Sequence, residues 1–225
     1  MDPAGGGLGE TSEVKPIVKF AALLAAAAGL TACSGIGAGE YGFSEYAMVR
    51  VHRVTVGNGS LVVSAPRPWN RHRPVLFEDI REVEDWTLNG PILDGMSFIT
   101  GLPNGKALIH QRRTADQQVP PFRSNMTPPE IAAMLESAYR VRGGAVDFKT
   151  LSLQPRPFLG YNGFQLDYEH LDTDELWRKG RAVGAVIDGR LYLILLDAAR
   201  LHYYEATLPD FEAVVASAQL RRAAV

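Results

Sequence analysis

The chain has one cysteine, Cys33, and it closes the run Leu30-Thr31-Ala32-Cys33 at the end of a short apolar stretch. A lone thiol excludes an intramolecular disulfide and leaves modification or a free sulfhydryl. Other side chains able to do chemistry gather in two places. Asp167, Glu169, His170, Asp172, Asp174 and Glu175 form an acidic cluster whose oxygens could ligate calcium. The spacing lacks the Gly and the distal Glu of a calcium loop, so the outward face of a solvated strand also accounts for the charges. Arg67, Arg71, His72 and Arg73 surround Trp69 in a basic, Pro-rich segment. Such a segment could touch anionic lipid or glycan with Trp69 as an interfacial anchor; alternatively it is an exposed loop whose Trp69 caps the core. The histidines His52, His72, His110, His170 and His202 show no metal spacing of the His-x-x-x-His kind. A Gly-x-Ser-x-Gly elbow is missing. No catalytic residue, metal ligand or cofactor is assigned.

Lys15 and Lys19 precede an uncharged, Ala- and Leu-rich stretch from Phe20 to Leu30. A basic start followed by a short apolar region reads as a signal peptide, and the run is too short for a bilayer, which takes about 20 apolar residues. With its small residues, Leu30-Thr31-Ala32-Cys33 resembles the lipobox of bacterial lipoproteins. The resemblance implies cleavage between Ala32 and Cys33, a diacylglycerol thioether on Cys33, and fatty acylation of the new amino group. A signal cut elsewhere would leave Cys33 as a free thiol. Each buried CH₂ adds about 0.8 kcal/mol, so two or three chains hold a protein where one does not. By the same resemblance, Ser34 after the cysteine favours the periplasmic face of the outer membrane over the inner membrane. Residues Met1 to Glu13 are Gly-rich and acidic, unlike a signal start, and Val14-Lys15-Pro16 would serve if Val14 were initiated from a GTG codon.

Without residues 1–32 the chain keeps 193 residues, with 21 basic against 22 acidic. That length suits one domain with a core that needs neither disulfide nor metal. The near-neutral charge gives no footprint for nucleic acid. The expected organisation is a signal over 1–32, a lipidated tether over 33–46 and one domain over 47–225.

Met48 to Ser64 reads as a hairpin turned at Gly57-Asn58-Gly59, with a bulge near His52 and Arg53 where the valine alternation changes phase. Residues 65–70 read as a loop, Phe77 to Trp86 as helix or strand, and Met96 to Thr100 as a strand that Ala107-Leu108-Ile109 pairs back on. Gln111 to Ser124 reads as an exposed loop. A helix follows, with Thr127 as N-cap, Pro128 in its first turn, Glu130 completing a capping box and Met126 with Ile131 as a staple. Ile131, Met134, Leu135, Ala138 and Tyr139 share its apolar face, and Gly143-Gly144 ends it. Strands are expected at Val146–Leu153, around Phe164–Glu169, and at Ala182–Ile187 and Leu191–Leu196, the last two joined at Asp188-Gly189. Leu191–Leu196 is apolar on both faces and should be central. Pro209 should open a closing helix with Phe211, Val214, Val215 and Ala218 as its core face. Strands, helix, antiparallel strands, helix is an α+β order with helices packed on an antiparallel sheet.

The last stretch runs Gly180-Arg181-Ala182-Val183, Asp188-Gly189-Arg190-Leu191-Tyr192-Leu193, Tyr203-Tyr204, Leu208-Pro209-Asp210-Phe211 and Val214-Val215-Ala216-Ser217. This pattern resembles the C-terminal part of the PsbP-like fold. The resemblance implies a layered α+β sandwich and an accessory or binding role, and carries over no site residues.

Two functional readings follow. In the first, the protein is a non-enzymatic accessory or scaffold protein of the bacterial envelope, anchored to membrane through Cys33 and binding an envelope partner through exposed aromatics such as Trp69 and Tyr161. In the second, it is a small-molecule-binding module or an enzyme, with Tyr168, Tyr192 and His202 lining a pocket between sheet and helices.

Overall fold

The computed structural model describes residues 46–72, 80–111 and 118–221, all within the compact unit Glu45–Val225. The lipobox, Cys33 and Arg73 lie outside the described residues, as does the segment 112–117.

Eleven strands and two helices are described. The strands are β1 Tyr46–Val49, β2 Arg53–Val56, β3 Leu61–Ser64, β4 Trp69–His72, β5 Val83–Thr87, β6 Asp94–Leu102, β7 Asp147–Pro155, β8 Phe164–Leu171, β9 Trp177–Ile187, β10 Arg190–Ala199 and β11 Gln219–Leu220. The helices are α1 Pro128–Arg142 and α2 Tyr203–Ser217. Eight strands form one antiparallel sheet in the order β1-β4-β5-β6-β10-β9-β8-β7, and β11-β3-β2 form a second, small sheet.

Strand β10 is the centre, as its two-sided apolarity requires. It pairs with β6 and with β9, and Asp188 and Gly189, both at positive φ, make the two-residue turn that joins it to β9. Leu191, Leu193 and Leu195 point into one core with Leu166, Tyr168, Ala182 and α1 residues Ile131, Met134 and Leu135. Tyr192, Ile194 and Leu196 point into the other core with Val56, Leu61, Val63 and α2 residues Phe211, Val214 and Val215. The domain is therefore an α+β sandwich: α1 on one face of the large sheet, α2 and the small sheet on the other.

The helix signals act where the sequence places them. The Glu130 carboxylate accepts the Thr127 N–H at 2.7 Å, Pro128 starts α1, and Gly143 caps it. Ser217, near the end of α2, accepts the Ser64 N–H at 2.8 Å and so fastens the helix to β3.

Several local expectations are corrected. The phase change at 52–53 is no bulge: β1 pairs with β4 in the large sheet, while β2 pairs with β3 in the small one. The segment 65–70 ends in a strand, since β4 begins at Trp69. Ala107–Ile109 forms no strand. Val119 and Phe122 are fully buried, so this part of Gln111–Ser124 is core. The Gln111 side chain accepts the Val119 N–H at 2.7 Å and donates to its carbonyl at 2.8 Å, replacing a strand partner. Pro209 sits inside α2, which begins at Tyr203.

Candidate functional site

Two clusters of polar groups lie on the large sheet, one under each helical layer. On the α1 face, His170 of β8, Arg178 of β9 and Asp197 of β10 meet, because pairing places Arg178 opposite His170 and Gly180 opposite both Asp197 and Tyr168. His170 Nε2 lies 2.8 Å from one Asp197 oxygen. Arg178 Nε donates to the other, one guanidinium Nη to the Asp197 carbonyl at 3.1 Å and the second to the carbonyl of Ile92. Burial opposes ionisation of Asp197, but the His170 hydrogen bond and the Arg178 charge outweigh it and hold the carboxyl below the usual range. Burial also works against the Arg178 charge, yet Asp197 keeps that pKa above its ordinary value.

Beside this triad the hydroxyls of Tyr139 and Tyr168 hydrogen-bond each other at 2.5 Å. Burial raises both pKa values well above the ordinary phenol. Phe148 stacks on Tyr168 at 5.2 Å, and Tyr139 covers the His170 ring at 4.8 Å. Gly180 makes room for this: a β-carbon there would overlap the Tyr168 ring. His170 Nδ1 is buried without a hydrogen-bond partner. Within the cluster the Arg178 and Asp197 charges are paired with each other.

On the α2 face Asp167 pairs with Arg181 at 2.6 Å and accepts from Ser152 and Gln165 at 2.8 Å each. Glu212 of α2 reaches Arg181 at 2.8 Å and Arg156 at 2.6 Å. Although burial opposes it, hydrogen bonds from these arginines and amides lower the pKa of both carboxylates. This network clamps α2 onto the sheet.

The acidic cluster expected from sequence is therefore divided. Asp167 and Glu169 are under the α2 layer, not on a solvated face: Asp167 is bonded to Arg181, and Glu169 lies 3.7 Å from Arg200. His170 belongs to the α1 face. Asp172 accepts the N–H groups of Asp174 and Leu176 in the β8–β9 turn, where Asp174 and Glu175 are exposed. No group able to hold a metal is found among the described residues.

Of the two readings of the basic segment, the structure bears out the one in which Trp69 caps the core. Trp69 is 0% exposed, and its indole N–H donates to Asp210 at 3.0 Å; it caps the core and is no surface anchor. Arg67 shares Asp210 at 2.5 Å, and Arg71 pairs with Glu84 at 2.6 Å. Tyr168, Tyr192 and His202 do not converge: Tyr168 is buried toward α1, Tyr192 toward α2, and His202 is exposed. Tyr161 is exposed, on the rim of an open groove of about 870 Å³ between residues 156–161 and the end of α2. Sequence reasoning missed Arg178 and Asp197. The available signal was an Asp within a strand otherwise apolar from Leu191 to Ala199, with an Arg near the start of its hairpin partner.

No protein-family model matches the chain, and no curated protein matches it. Among solved structures, the cyanobacterial PsbP protein CyanoP from Synechocystis sp. PCC 6803 is similar at 16% identity and a TM-score of 0.52, covering 81% of this chain and 96% of that one. LpqN, described as involved in cell envelope biogenesis of Mycobacterium tuberculosis, is 13% identical with a TM-score of 0.33, covering 80% of this chain and 93% of that one. With the sheet order and both helical layers in place, the CyanoP likeness identifies the fold of this chain as a PsbP-like α+β sandwich.

Proposed function

We propose that this protein is a lipid-anchored accessory or scaffold protein of the bacterial envelope, held to membrane through Cys33 and working by binding a protein partner rather than by catalysis. The observation that carries the binding role is that the carboxylates of both clusters are engaged within the fold: Asp197 is bonded by His170 and Arg178, Asp167 by Arg181, and Glu212 by Arg181 and Arg156. Groups so occupied hold layers together. The lipobox supports the anchor, and Ser34 favours the periplasmic face of the outer membrane. From Cys33 to Tyr46 the chain reaches at most about 45 Å, which keeps the domain beside the bilayer.

The test is the mass of the N-terminal peptide from membrane fractions, beside a Cys33→Ser variant. A diacylglyceryl adduct on Cys33, with the variant released from membranes, supports the anchor; an unmodified Cys33 thiol in the mature protein refutes it. The binding role fails if the purified protein turns over a substrate and loses that activity on a change within either cluster.

A further inference from the structure

Strand pairing brings the start of β6, β7 and β9 and the end of β8 and β10 to one end of the large sheet. Past these ends stand Ile92, 68% exposed, Val146, 63%, and Leu201, 82%. Trp177, at the start of β9, lies among them with Lys149 at 4.9 Å and Arg200 at 5.3 Å from its ring. Four strand spacings of about 4.8 Å separate β6 from β7, so the row is about 19 Å long. Exposed large apolar groups gathered at one end of a sheet mark an interaction surface.

The backbone here is held against its own preference. His202 has φ 72° and ψ −55°, and the Tyr203 N–H bonds the Leu201 carbonyl at 2.9 Å. That is a γ-turn of the rare, strained kind. Its product is Leu201 lifted into water, which the hydrophobic effect also opposes.

Charge narrows the occupant. Three cations at this end are paired: Lys149 with Asp147, Arg200 with Glu169 and Lys179 with Glu205. Asp172, Asp174 and Glu175 in the adjoining β8–β9 turn have no ion pair among the described residues. Against these three stands Arg142 on the last turn of α1, also unpaired among them. The excess is negative, which repels an anionic lipid surface and suits a basic one. We infer that Ile92, Val146, Trp177 and Leu201, with the Asp174–Glu175 turn, dock a partner protein whose facing surface is apolar and ringed by Lys and Arg. The inference rests on the accessory-protein reading above and names the surface that does the binding.

The experiment places the photo-crosslinker p-benzoylphenylalanine at Leu201, at Ile92 or, as a control at the opposite end of the sheet, at Tyr161, in the full chain in its native cells. Expected are one discrete heteromeric adduct from positions 201 and 92 but not 161, and a crosslinked partner peptide containing Lys or Arg. Adduct yield should fall at least tenfold in the double variant Asp174→Lys, Glu175→Lys, whose melting temperature stays unchanged. Phospholipid adducts, a homodimer, equal adducts from 161, no adduct, or a yield indifferent to charge reversal would each overturn it. Partition of the same cells into detergent-rich phase scores the anchor independently. An aqueous protein refutes lipidation, while the adduct pattern still decides the docking surface.

Discussion

Replacing Asp197 with Asn tests whether the α1-face cluster is a closed electrostatic unit. The substitution keeps the shape and one acceptor oxygen but removes the charge that faces Arg178, a side chain with 9% of its surface exposed. Breaking a buried ion pair from one side costs about 3–5 kcal/mol, because the remaining charge is stranded. For a domain of this size each kcal/mol is about 2–4 °C of melting temperature, so the loss is about 6–20 °C. The assay is urea unfolding at pH 7 and again across the acid range. Asp197 titrates below its unfolded value of about 3.9. Its contribution is therefore fully present above that value and is lost as pH falls through the folded pKa. The stability gap between wild type and Asp197→Asn should accordingly be widest near neutrality and narrow in acid. A triple variant, His170→Phe, Arg178→Met and Asp197→Leu, should recover most of the loss, since an apolar replacement of a buried pair is often neutral or stabilising. A gap below about 1 kcal/mol at pH 7, or one that widens in acid, refutes the reasoning.

Trp69→Ala should cost about 3–5 kcal/mol by leaving a core cavity and freeing Asp210 from its indole donor, read as a lowered melting temperature; an unchanged one would put Trp69 on the surface. Gly180→Ala should cost about 1–3 kcal/mol by pushing the Tyr168 ring aside, and near-ultraviolet circular dichroism should change with it. Glu212→Gln should cost about 1–2 kcal/mol, with the loss reduced in 1 M salt, because Arg156 and Arg181 keep partial solvent access. Urea curves at two ionic strengths check this.

What the sequence made legible was whatever is decided within one element. The capping box of Thr127 and Glu130, the Asp188-Gly189 turn, the two-sided apolar run of β10 and the core face of α2 are all settled by neighbours within about four residues. The long-range ties have the opposite property. Trp69 lies 141 residues from the Asp210 that receives its indole, and Ser64 lies 153 from Ser217. No local rule links them. The valine phase change at 52–53 was visible, but a bulge and a change of sheet leave the same alternation. Proline suits a first turn, so Pro209 by itself points to a helix start. Here tertiary burial of Tyr204 and Thr207 begins the helix two turns earlier. The candidate cluster was hidden for a simple reason: His170 and Asp167 are three residues apart, but opposite parity sends them to opposite cores.

The polar cluster and the proposed docking row are joined by one side chain. Arg178 neutralises Asp197 with one edge of its guanidinium and with the other holds the carbonyl of Ile92, in the loop that opens β6. Asp94, directly beyond that loop, is fully buried and accepts from the Thr87 hydroxyl, the Leu88 and Asn89 N–H groups and the Asn89 amide. The loop is thus fixed at both ends by buried charge while its apolar side chain faces water. A planar, always-charged fork can serve a carboxylate and a distant carbonyl at once, which an ammonium point charge does poorly. Burying charge at the sheet end is costly in itself, and its structural return here is a rigid frame from which Ile92 and Leu201 project without collapsing into the core.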